Sequence, residues 1–200
     1  MSNMQRQTKT LPKIKRAFIE LIYAKGMDSL TVSDIARVAK INRGTFYLHY
    51  IDKYDLMEKL ESQAIAELED ILNHDEAPHD QEDPVDFISY TAIYKALVYV
   101  KKEFDLVAAL ASEGGDPLFL DRIKEIIGQL VSNKLNQTQT LTLATHQFPE
   151  DYVRELLLAG TISIIERWIH KGGREDPETV ARMIEQSKSL APTDYIQVKN

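Results

Sequence analysis

The sequence predicts an all-α protein of about nine helices, in which three short N-terminal helices form a helix-turn-helix head and the rest a larger helical body. Three observations predict it. Apolar residues recur at helical spacing through nearly every segment. Asp-Pro pairs at 83–84, 116–117 and 176–177 mark helix starts: Asp caps an N-terminus, and Pro suits the first turn, where its missing N–H has no partner to lose. No stretch shows sustained strand alternation bracketed by hairpin turns; "TLTLAT" (140–145) is a weak candidate.

In residues 12–25, Ile14, Ala17, Phe18, Leu21 and Ile22 follow the spacing i, i+3, i+4, i+7, i+8, and Gly26 is placed to close the helix as a left-handed C-cap. "TVSDIARVA" (31–39) is a second helix. Thr31 caps it, Asp34 supplies a variant of the capping box, and Val32, Ile35, Ala36 and Ala39 make its buried stripe. After "KIN" a third helix runs from about Arg43 to Tyr50. Asp52 then caps a long fourth helix with Leu56, Leu60, Ala64, Leu68, Ile71 and Leu72 on its buried side. The polar, acidic "NHDEAPHDQEDP" (73–84) connects to the second half. Thr- and Gln-rich "NQTQTLTLATHQF" (136–148) is a second connector, after which Pro149 starts a helix to about His170. A last helix covers 177–190, and there is no internal repeat.

At 200 residues and 44% hydrophobic, the chain can bury a proper core. It has no cysteine, hence no disulfide framework and no thiolate metal site, which fits a reducing compartment. The N-terminus lacks the apolar core of a signal peptide. The longest apolar stretch, "LLLAGTISII" (156–165), is about half of what spans a bilayer. These features predict a cytoplasmic protein. Net charge is −7, but unevenly spread. Residues 1–54 hold ten Lys and Arg against four Asp and Glu, a balance of +6; residues 55–200 balance at −13. A basic head on an acidic body points to a polyanionic partner for the head alone.

The head's third helix lies in "INRGTFYLHYIDKYDL" (41–56), whose composition suits neither a core helix nor a plain solvated one. Two short helices joined by a three-to-four-residue turn are the plan of a helix-turn-helix, whose second helix enters the DNA major groove. On that plan Asn42, Arg43, Gly44 and Thr45 meet DNA at the helix start, and Gly44 lets the backbone come close. Arg43 can donate to guanine edges or phosphate. Tyr47 and His49 reach phosphates or bases from the next turn, and Lys53 clamps phosphate. The basic arm of Arg6, Lys9, Lys13, Lys15 and Arg16 adds phosphate contacts. Phe46 and Tyr50 face inward. The competing reading is a three-helix bundle with incidental charge; spacing, composition and local charge together favour the DNA reader.

Residues 12–56 resemble the DNA-binding head of the TetR family of bacterial transcriptional regulators, through "LTVSDIARVAKINRGTFYLHYIDKYDL". The resemblance implies that Thr31, Arg43, Gly44, Thr45, Tyr47, His49 and Lys53 occupy positions that meet DNA. It also shows two departures. Lys40 stands where the family's turn usually has Gly: either its backbone is left-handed, at a cost on the order of 1 kcal/mol, or the turn differs slightly. Leu48 replaces a common polar or aromatic residue. "SEGGDPLFLDRIKEII" (112–127) and "AGTISIIERWIHKGGREDPETVARMI" (159–184) resemble the branch containing the dihydroxyacetone kinase operon activator. The family at large implies a repressor whose body binds a small molecule that weakens DNA affinity; the branch implies the alternative of an activator or adaptor answering to a protein partner.

The helix at 150–170 is apolar on more than one face, so it must be covered on both sides. The simplest account is a homodimer in which it and the last helix pack against their copies, through Leu157, Gly160, Ile164, Trp168, Val180 and Ile184. The family resemblance implies the same four-helix arrangement. A ligand pocket would draw on Tyr90, Tyr94, Phe104 and Phe119, although aromatics at helical spacing are more often plain core. No catalytic constellation stands out: no nucleophile sits in a strand-turn-helix setting, and "SEGGDP" lacks the lysine and preceding strand of a phosphate loop. His74 and His79, amid the acids of "NHDEAPHDQED", could hold a metal weakly, but a solvated linker is the favoured reading. No enzyme activity, cofactor, metal site or membrane partner is expected. The division expected is a DNA-binding domain at 1–54 and a regulatory and dimerisation domain at 55–200.

Overall fold

The computed structural model describes residues 3–74, 88–138 and 148–189, with side chains over 10–74, 88–136 and 148–189. Among these residues there are nine helices and no strand: α1 (Asn3–Ser29), α2 (Val32–Ala39), α3 (Arg43–Tyr47), α4 (Lys53–Asn73), α5 (Tyr90–Lys102), α6 (Phe104–Leu110), α7 (Phe119–Thr138), α8 (Glu150–His170) and α9 (Pro177–Ser187). The all-α expectation is borne out. The Asp83-Pro84 helix start, the "TLTLAT" segment, most of both connectors, His79, Leu190 and the side chains of Arg6 and Lys9 lie outside the described residues. No described helix is long and apolar enough to cross a membrane.

The chain forms two compact units, Met1–Glu67 with Asp105–Phe119, and Leu68–Phe104 with Leu120–Asn200. In the first unit the apolar stripe of α1, from Ile14 to Ile22, is buried, as are Leu30, Ile35, Ala36, Ala39 and Phe46. From α4, Leu56, Leu60 and Ala64 join them. Gly26 departs from the expected left-handed cap. Its φ of 71° and ψ of 166° lie in a region open in practice only to glycine, and the helix kinks there before running on to Ser29. The kink lets the "SEGGDP" loop dock: the Met27 N–H donates to the Gly114 carbonyl at 2.8 Å. A Cβ on Gly114 would stand 2.9 Å from the Ile22 carbonyl oxygen and 3.1 Å from the Gly26 Cα, so only glycine fits the approach.

In the second unit α9 packs along α5 and α8. Ile127, Val131 and Leu135 of α7 form a core with Leu158 and Ile162 of α8, edged by Leu72, Ile88, Ile123 and Val153. Asp176 caps α9 by accepting from the Thr179 N–H at 2.9 Å, with Pro177 in the first turn as expected. Trp168 is buried; its indole N–H donates to the Glu175 carbonyl at 2.9 Å, and Phe104 meets it edge-on at 6.0 Å. Gly173, at φ 60°, makes room for the Phe104 ring, which a Cβ there would strike at 2.5 Å. The Lys101 ammonium donates to the Gly173 carbonyl.

Candidate nucleic-acid interface

The interface rests on how α2 and α3 are held. The Asp34 N–H donates to Thr31 Oγ1 at 3.2 Å while the Asp34 carboxylate accepts from the Thr31 N–H at 3.2 Å, completing the capping box. The same carboxylate takes the Thr31 hydroxyl at 2.6 Å, Lys25 at 2.7 Å and Arg37 at 3.2 Å. These donors, Lys25 first, hold the Asp34 carboxyl well below the usual carboxylate range. Lys25 thereby ties α1 to the start of α2.

The turn contains Lys40 in the left-handed conformation, φ 54° and ψ 50°. Of the two alternatives at this departure, the left-handed lysine is the one the turn adopts. It reverses the chain so that the Ile41 N–H donates to the Ala36 carbonyl at 2.9 Å. α3 then runs only to Tyr47, shorter than the expected Tyr50, because the His49 N–H bonds back three residues to the Phe46 carbonyl and tightens the last turn. Phe46 is fully buried and anchors the helix, its ring 5.5 Å from that of Tyr50.

The outward face holds most of the residues expected at DNA. Asn42, Arg43 and Gly44 are exposed, Thr45 is half-buried, and Asn42 makes no side-chain capping bond. Arg43 donates to the Tyr47 hydroxyl at 3.4 Å, so the two lie side by side on the solvent face. His49 is half-buried against Tyr50, with rings 6.3 Å apart. Leu48 stands 80% exposed on the same helix end. Thr31 is exposed, with its hydroxyl proton committed to Asp34.

Lys53 does something its sequence position does not disclose. Its ammonium donates to the Met27 carbonyl at 2.8 Å and the Asp28 carbonyl at 2.9 Å, and sits 4.9 Å from the Tyr54 ring centre. It staples the start of α4 to the end of α1. Beside it Asp52 accepts from the Tyr54 and Asp55 N–H groups at 2.8 and 2.9 Å, so the expected cap is present. The Asp55 carboxyl is lowered chiefly by the Ile51 N–H and then by Lys59.

The pocket candidates fall in both units. Tyr90 and Tyr94 stack with ring centres 6.4 Å apart and planes within 2°. Phe104 lies against Trp168, and Phe119 is fully buried in the first unit. An open cleft of about 590 Å³ elsewhere in the second unit is lined by the α7 and α8 residues Asp121, Lys124, Glu125, Asp151, Arg154 and Glu155, with Tyr152 and Leu158. Of the expected interface residues, Leu157 and Gly160 are exposed, Ile164 is half-buried, and Trp168, Val180 and Ile184 are buried within the chain itself.

A short helix pinned by one aromatic, set across a tight turn from a capped helix and showing a polar, basic face, defines a helix-turn-helix regulator of transcription. The chain matches the model of bacterial regulatory proteins of the tetR family over residues 14–60, and that of a transcriptional regulator C-terminal region over residues 88–188. It belongs to the TetR family of bacterial transcriptional regulators. It is 31% identical over 77 residues to the HTH-type transcriptional regulator YxbF of Bacillus subtilis (strain 168), a match spanning 38% of this chain and 20% of that relative. Two solved structures share the fold. A TetR transcriptional regulator from Streptococcus agalactiae 2603V superposes with a TM-score of 0.60 at 24% identity, over 94% of this chain and 97% of that one. The dihydroxyacetone kinase operon activator DhaS does so with 0.56 at 18% identity, over 90% and 93%.

Proposed function

We propose that the chain is a cytoplasmic repressor that reads a palindromic operator as a homodimer and is released by a small molecule. Residues 1–54 serve as the DNA-binding domain and 55–200 as the regulatory and dimerisation domain. The observation that carries the DNA reading is the outward face of α3, where Arg43 and Tyr47 stand exposed beside Gly44 while Phe46 anchors the helix beneath. Arg43 reads a base edge, and Asn42, Thr45, Tyr47 and His49 support it. A two-fold dimer presents two such helices, so half-sites lie about one helical turn apart or a little more.

The dimer is supported by large apolar side chains left in solvent on α8 and α9. Leu156 is 65%, Leu157 47% and Met183 45% exposed, and a Cβ on exposed Gly160 of α8 would meet only the Ser187 hydroxyl at 4.0 Å. Several exposed large apolar side chains on two packed helices favour an association surface there. The stacked, part-exposed Tyr90–Tyr94 pair supports an effector with an apolar or aromatic face.

The test is selection from a randomised duplex pool at two salt concentrations, with sedimentation of the free protein. We expect a palindromic site whose affinity falls steeply with salt. Arg43→Ala should relax preference at one base pair per half-site by ~1–3 kcal/mol. Selection of no sequence, or a monomer at micromolar concentration that stays monomeric on DNA, refutes the proposal.

A further inference from the structure

At 80% exposed, Leu48 is the most exposed large apolar side chain among the described residues. No packing among the described residues explains a leucine there. It follows Phe46 by two residues, which places it about 200° round the helix from that buried anchor and so on the outward face. It lies one turn beyond Gly44, whose carbonyl accepts its N–H at 3.2 Å. Its backbone is helical, φ −73° and ψ −17°, so the side chain leans back toward Gly44. At Gly44 even an added Cβ would meet nothing within 4 Å. Leu48 is thus an apolar prong beside bare backbone, with exposed Arg43, Tyr47 and Lys40 close by in the chain.

The surroundings select the occupant. Exposed Lys40 and Arg43 neighbour it in a segment, residues 1–54, that balances at +6, which favours an occupant that is anionic around its rim and apolar at one point. A protein face with an acidic rim is the rival occupant, and the sedimentation arm below tells it apart. The DNA major groove has both: phosphates flank it, and the one fully apolar group on its base edges is the thymine 5-methyl. We infer that Leu48 is a specificity-determining residue that packs on a thymine methyl in each half-site. The inference rests on the DNA reading proposed above and adds a base that Arg43 does not read.

Removing the methyl alone tests it. The duplex recovered from the pool is remade with single thymines replaced by deoxyuracil, and binding is measured for the wild type, Leu48→Ala and Leu48→Met. The wild type should lose about fourfold in affinity at one thymine per half-site, the effect of one buried methyl-sized group. Replacing that thymine in both half-sites should cost about sixteenfold on the same basis. Leu48→Ala should be indifferent to the methyl, and Leu48→Met should retain the dependence. An exposed position makes both variants harmless to the fold, which their melting checks. If the wild type selects a site but ignores the methyl, or if Leu48→Ala keeps the same dependence, the role of Leu48 falls while DNA reading stands. A change in sedimentation of Leu48→Ala without a change in methyl dependence assigns the prong to a protein contact and overturns it. If the wild type selects no sequence, DNA reading falls first and Leu48 with it.

Discussion

Replacing Lys53 by methionine removes its ammonium while keeping a stem of similar length. The ammonium bonds to the Met27 and Asp28 carbonyls at 2.8 and 2.9 Å, just before α1 ends at Ser29. Carbonyls in the last turn of a helix have no intrahelical partner, so the lysine satisfies groups that would otherwise turn to water. A hydrogen bond to a charged group contributes roughly 1.5–3 kcal/mol in a buried setting. Here one bond is part-buried and the other exposed, so the pair together contributes about 2 kcal/mol. For a chain of this size that lowers Tm by about 4–8 °C, read by far-UV circular dichroism. An ammonium has three donors, and two are committed to carbonyls. The third is the one available to a phosphate, and its loss should reduce the salt slope of DNA binding by about one. The two readouts are independent. If Lys53→Met melts within a degree of the wild type, the staple carries no weight; an unchanged salt slope withdraws the phosphate contact.

Gly114→Ala should cost about 1–3 kcal/mol in urea unfolding, because its Cβ meets backbone and not a yielding side chain; an unchanged midpoint would show that the loop shifts freely. Trp168→Ala should cost about 3–5 kcal/mol from lost core packing. As Trp168 is the sole tryptophan and only 2% exposed, native emission should be that of a buried indole and move to the red on unfolding; water-exposed emission in the folded protein would contradict its placement. Asp34 has a folded pKa below its unfolded value, so its contribution is full above the ordinary carboxylate range and is lost as pH falls below it toward the folded pKa. The gap in Tm between the wild type and Asp34→Asn should therefore be widest near neutrality and shrink in acid; a gap that widens in acid would reverse the sign.

Much of the head was legible in the chain because its determinants are local. Thr31 with Asp34, Asp52 before Lys53, and Asp176 with Pro177 are caps whose partners lie within three residues, and all three cap as expected. The stripe from Ile14 to Ile22 and the Phe46–Tyr50 pair are legible because helical spacing alone puts those side chains on one face. Lys40 stood out as a residue in a glycine's place, and its left-handed backbone follows from the sharpness of the turn.

Other features depend on what arrives from elsewhere in the chain. Lys53 looks like a free cation until the end of α1, some twenty-five residues earlier, is brought beneath it. The Gly26 kink and the glycines of "SEGGDP" explain each other only once their backbones meet. Apolar periodicity marks both sides of α8 for burial but cannot say which side its own chain covers. The fold sends Leu158, Ile162 and Trp168 inward and leaves Leu156 and Leu157 in water. Helical spacing, a property of bonds and dihedrals a few residues apart, is written in the sequence. Partner choice depends on which surfaces the whole chain can pack against one another, and many pairings would satisfy the same stripe.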